Sequence, residues 1–128
     1  MLSFQDELGR LVLDVCKSIP FGVLFFVPSY GLLQKLENRW KVTKLEDELK
    51  KYKRIFAESK SAKNFDSLLG DYYRCIDESN GEDVRNGALL FGVYRGRASE
   101  GLDFSDNYGR AVIAVGIPYP NVKDTQVT

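Results

Sequence analysis

Gly87-Ala88-Leu89-Leu90-Phe91-Gly92-Val93-Tyr94 runs without a charge straight into Arg95-Gly96-Arg97-Ala98-Ser99-Glu100-Gly101-Leu102-Asp103-Phe104. The first half is apolar almost throughout, with no polar side left for water. A strand of that kind is covered on both faces, as in a parallel sheet. The second half packs two arginines, two acids, a serine and two glycines into ten residues, a composition that no helix or strand core needs. Two readings fit it. One is a solvated connection whose charges pair locally. The other is a loop that receives phosphate, because glycines admit close backbone approach and arginines supply planar donors. Glu100 and Asp103 would then suit a ribose hydroxyl, a metal-bound water or an orienting role.

Upstream of this stretch, Phe65, Leu68, Leu69, Tyr72, Tyr73 and Ile76 recur at helical spacing behind Asn64, a good cap. Arg54 to Glu58 is short and strand-like, and Leu45, Leu49 and Tyr52 hint at a short surface helix. Lys50, Lys51, Lys53 and Arg54, with Lys60 and Lys63, read as a solvated face or else as a weak contact to nucleic-acid backbone. Earlier still, Gly22-Val23-Leu24-Phe25-Phe26-Val27 is a second uninterrupted apolar run, ended by Pro28. Ser29 then opens a helix carrying Leu32, Leu33, Leu36 and Trp40, either as a plain cap or as a cap whose helix N-terminus also receives phosphate. Ser3 and Asp6 start an amphipathic helix over residues 4 to 18, which Pro20 stops. Downstream, Ala111 to Ile117 is a third buried-type strand. Helices alternating with such strands imply βαβ crossovers and an open, mainly parallel α/β sheet flanked by helices. Ligands bind such sheets outside the strand C-terminal ends. Pro28-Ser29-Tyr30 and Arg95 to Phe104 both leave those ends, so they should open on one edge.

At 128 residues the chain fits one domain, residues 1–128, able to bury roughly two thirds of its unfolded surface. The hydrophobic content of 44% argues against disorder. Eighteen basic and eighteen acidic residues cancel, so any nucleic-acid contact has to come from a local cluster. The absence of histidine excludes Ser-His-Asp and Cys-His mechanisms and histidine metal sites. Cys16 and Cys75 stand far apart and outside any C-x-x-C spacing, which predicts two reduced thiols and no metal. No apolar run is long enough to span a bilayer and no signal peptide is visible, so the expectation is an intracellular chain with no membrane partner. A G-x-x-x-x-G-K-S/T phosphate loop is absent, so any nucleotide is shared with another domain.

The run from Tyr94 to Ile113, with R-G-x-x-S-E-G-x-D-F at its centre and V-G-I-P-Y-P after it, strongly resembles motif V and the following strand of the XPD-like superfamily 2 DNA helicases. Gly22 to Tyr30, ending F-F-V-P-S-Y, resembles motif IV of the same group. Within the group, F-Q-D-E-L-G, N-R-W, N-F-D-S-L-L-G-D-Y-Y and I-P-Y-P-N-V-K-D-T-Q-V are most similar to the Fanconi anaemia J-group branch, with the telomere-length-regulating and XPD branches next. The resemblance covers essentially the whole chain.

It implies a RecA-like helicase C-terminal motor domain, part of a 5′-to-3′ ATP-dependent helicase in DNA repair, located in the nucleus. The implied partners are single-stranded or forked DNA, a first motor domain in the same protein, and repair proteins. The implied cofactors are ATP and Mg²⁺, shared with the first motor domain, and a 4Fe-4S cluster outside this chain. Motifs I and II would precede Met1 and motif VI would follow Thr128, so the chain alone is expected to be inactive. By the same resemblance Ser99, Glu100, Gly101 and Asp103 face ATP, while Ser29, Tyr30, Arg95 and Arg97 face DNA. Position 97 is more often lysine in the group, and Tyr94 stands where cysteine is common. The rival expectation is a helicase-derived module that lost catalysis and serves to bind DNA or protein.

Overall fold

The computed structural model describes residues 3–58, 65–79, 86–93 and 104–116. Its elements follow in the order α1 (Phe4–Ser18), β1 (Phe21–Val27), α2 (Tyr30–Val42), α3 (Leu45–Lys50), β2 (Arg54–Ala57), α4 (Phe65–Asp77), β3 (Gly87–Val93), a 3-10 turn (Asp106–Gly109) and β4 (Ala111–Ala114). Ser3 caps α1 by accepting a hydrogen bond from the Asp6 amide at 3.2 Å. Asp6 and Glu7 in its first turn and Lys17 in its last suit the helix dipole.

The strands form one open sheet in the order β2-β3-β1-β4, and all three pairings are parallel. The two uninterrupted apolar runs are the two central strands. Every residue of β3 is buried, as are the last six residues of β1. The edge strands are shorter, and β4 shows the alternating burial of a strand covered on one side.

Alternate residues of the central strands feed opposite cores, as the two-residue period of a strand requires. Val23, Phe25 and Val27 of β1 and Leu89, Phe91 and Val93 of β3 meet residues of α1, α2 and α3, among them Val12, Leu36, Trp40 and Leu49. Leu24, Phe26 and Leu90 meet Phe65, Tyr72 and Ile76 of α4 on the other face. Trp40 anchors the first core. Its ring lies 5.8 Å from those of both Phe25 and Phe91, and its indole N–H donates to the Gln5 carbonyl at 2.9 Å, tying α2 to α1. Packing of three offset aromatics in one layer contributes beyond area burial.

Gly22 is where the second face closes. A Cβ there would strike the backbone carbonyl of Tyr108 and lie 2.6 Å from the Tyr72 hydroxyl. The missing side chain lets the 3-10 turn lie against β1, and Arg110 N–H donates to the Gly22 carbonyl at 2.8 Å as β4 begins.

Candidate functional site

The central strands start and end level with each other, from Phe21 opposite Gly87 to Val27 opposite Val93. Both of the stretches singled out by sequence therefore leave the same sheet edge from adjacent strands. The chain turns at Pro28, and Ser29, extended at φ −153° and ψ 156°, caps α2 by accepting from the Leu32 amide at 3.1 Å. Ser29 itself is exposed. The first turn of α2 carries no acid while Arg39 and Lys41 occupy the last. The positive end of the helix dipole thus faces the sheet edge without a nearby side-chain anion of its own turn.

Tyr30, the first residue of α2, is half-buried with its ring against the α1–α3 core. Its hydroxyl donates to Glu58 Oε2 at 2.8 Å. Burial, with Glu58 adding to it, pushes the Tyr30 phenol up to about 12, which keeps it a proton donor at neutral pH. Glu58 follows β2 and is only 5% exposed. Its other oxygen, Oε1, accepts the Val93 amide at 3.1 Å, and its own amide donates to the Phe91 carbonyl at 2.9 Å. A carboxylate taken out of water needs such partners, because burying it unpaired would cost several kcal/mol, on the order of a broken buried ion pair.

Ser29 and Tyr30 thus sit at the expected edge, beside the end of β3. Arg95, Arg97, Ser99, Glu100, Gly101 and Asp103 lie outside the described residues, between Val93 and Phe104. Where the chain is described again, Phe104 packs on Tyr72 and Tyr73 at ring separations of 6.2 and 6.5 Å. Tyr72 donates to the Tyr108 carbonyl at 2.6 Å, and Tyr108 donates to Asp77 Oδ1 at 2.7 Å. Sequence reasoning did not single out Glu58. The available signal was a lone carboxylate closing an apolar strand, at the level where neighbouring strands end.

The basic run does not form one solvated face. Lys50 and Lys51 are exposed and pair with Glu46 and Glu48, at 3.3 and 2.9 Å, and Arg54 is exposed over the Phe56 ring. Lys53 is fully buried instead. Its ammonium donates to the carbonyls of Ile19 at 2.6 Å and Phe21 at 2.8 Å, and to Asn86 Oδ1 at 2.9 Å. The physical reason is position: α3 stops at Lys50, and the turn into β2 aims the next side chain but two under the sheet edge. That edge is opposite Ser29 and Glu58, so Lys53 does not belong to the site.

Cys16 is a buried thiol, and Cys75, partly buried, donates from Sγ to the Gly87 carbonyl at 3.5 Å. Burial pushes the Cys16 thiol up to about 12, which leaves it a thiol. Among the described residues no group of three or more cysteines and acids is placed to hold a metal ion, and no helix is long and apolar enough to cross a membrane.

Comparison with known proteins gives a match to the model of the helicase C-terminal domain over residues 12–128. The chain is 51% identical over 126 residues to the Fanconi anemia group J protein homolog of Gallus gallus, covering 97% of this chain and 10% of the relative. It is 42% identical over 124 residues to the regulator of telomere elongation helicase 1 homolog of Aedes aegypti, covering 97% of this chain and 12% of the relative. Against the human ATP-dependent DNA helicase DDX11 the identity is 41% over 124 residues, covering 96% and 13%. The chain thus spans only about a tenth to an eighth of the length of these curated relatives.

Proposed function

The chain belongs to the helicase C-terminal domain family, and we propose that it is a second-motor-domain segment of an ATP-dependent DNA helicase of the XPD-like group, acting 5′ to 3′ in DNA repair and genome maintenance. Its open, all-parallel sheet flanked by helices is consistent with the RecA-like fold of that domain. The observation that carries the reading is the level ending of β1 and β3, Val27 opposite Val93. It starts the motif IV and motif V stretches side by side on one edge, where a nucleotide and a strand of DNA can be touched together.

On this reading Ser29 and Tyr30 lie along the single strand, and Arg95 and Arg97 meet its phosphates. Ser99, Glu100, Gly101 and Asp103 face an ATP shared with a first motor domain of the same protein. The names of the human and mosquito relatives support helicase activity, and that of the human one supports ATP and DNA. Mg²⁺ and a 4Fe-4S cluster are assigned to the first half of the parent protein. Forked DNA and repair proteins are the further partners, in the nucleus.

The test uses the full-length protein. Single-stranded DNA should raise its ATP turnover, and Arg95→Ala should weaken DNA binding while lowering the slope of log affinity against log salt by about 0.7. ATP turnover indifferent to DNA would sink the reading. An unchanged slope would remove Arg95 from the DNA path.

A further inference from the structure

Among the described residues, three segments meet at Glu58: β2, which it follows and whose line its amide continues by donating to Phe91, the start of α2 through Tyr30, and the end of β3 through Val93. Tyr30 is the last residue of the motif IV stretch, and Val93 is two residues short of Arg95. One side chain therefore bridges the two stretches by two hydrogen bonds, one to each carboxyl oxygen. The bridge is also enclosed, since Glu58 is buried and water competes poorly for its oxygens. Shifting α2 relative to β3 would leave a buried carboxylate short of a donor, so the two stretches are held to move together.

We infer that Glu58 is a positioning residue that couples motif IV to the start of motif V, so that contact with DNA at α2 is felt at the nucleotide side of the sheet edge. The inference rests on the proposed helicase reading and goes beyond it by naming the side chain that carries the link. Glu58 touches neither DNA nor nucleotide in this account. It acts through Tyr30 and Val93, as a two-sided contact biased by either site.

The full-length protein provides the test, with the ratio of ATP turnover with single-stranded DNA to that without as the readout. Glu58→Ala should lower this ratio by about twentyfold, and Tyr30→Phe, which removes one of the two bonds, by about fivefold, within the usual range of coupling between sites. Glu58→Gln keeps an acceptor for Val93 and offers an amide to the Tyr30 oxygen, so it should restore most of the ratio. Lys53→Met removes a buried polar hub from the opposite edge and should lower melting temperature with the ratio unchanged. A parental ratio in both Glu58→Ala and Tyr30→Phe overturns the inference, as does an equal fall in Lys53→Met. If Glu58→Ala fails to fold, Tyr30→Phe alone decides in the same way. A parent protein with no DNA-stimulated turnover is a separate result, and it counts against the helicase reading itself.

Discussion

Lys53 holds three segments together at the sheet edge remote from the site. Its ammonium serves the end of the α1–β1 turn at Ile19 and Phe21 and the residue before β3, Asn86, whose amide also donates to Tyr52. Lys53→Met leaves these oxygens without their donor and should destabilise the chain by about 1–3 kcal/mol, measurable by urea unfolding. Burial draws the Lys53 ammonium down to about 8 from its ordinary 10.5. Between those values the unfolded chain holds more protons than the folded one, so stability gained from this group rises with pH across that window. The parent should therefore gain on Lys53→Met from pH 8 to 10.5. A gap that stays constant or narrows would contradict the assignment. Neither this role nor that of Glu58 is legible in the chain, because a charged letter in a charged run carries no sign of which way the backbone turns it. Tyr30 was legible as part of a stretch that leaves a strand's C-terminal end, but its hydroxyl bond to Glu58 depends on a residue far along the chain.

The elements were legible where burial writes a pattern. Two runs without alternation became the two central strands, and α1, α2 and α4 follow the spacing of Val12 and Cys16, of Leu33, Leu36 and Trp40, and of Phe65, Tyr72 and Ile76. The short α3 was only hinted at. It starts at Lys44 in the left-handed region with no side-chain cap, a start that propensity does not mark. Strand order was not legible either, since β2 and β3 are neighbours and β1 lies between β3 and β4, an arrangement set by which helices cover which face. One close approach between elements is at Gly22, where the 3-10 turn meets β1. Gly22→Ala should push the Tyr108 backbone away and cost about 1–3 kcal/mol, as overpacking does. Thermal unfolding checks this, and a parental melting temperature would show that the turn gives way freely.

At the scale of the molecule, the parallel sheet puts the C-terminal ends of β1, β2 and β3 on one edge, with Ser29, Tyr30 and Glu58 described there. The stretch from Arg95 to Asp103 is proposed for the site on its sequence resemblance. That resemblance was legible because it rests on a long, ordered string of residues, whereas the side chain that bridges it to Tyr30 is visible only once three strands are side by side. On the proposed reading the site is half of one, completed by a first motor domain of the same protein. The most direct measurement of that claim is DNA-stimulated ATP hydrolysis by full-length Asp103→Ala beside its parent. The account predicts a folded protein with the parental melting temperature and turnover reduced by about a hundredfold or more, the usual cost of losing an electrostatic contact at a reacting centre. Near-parental turnover would contradict it.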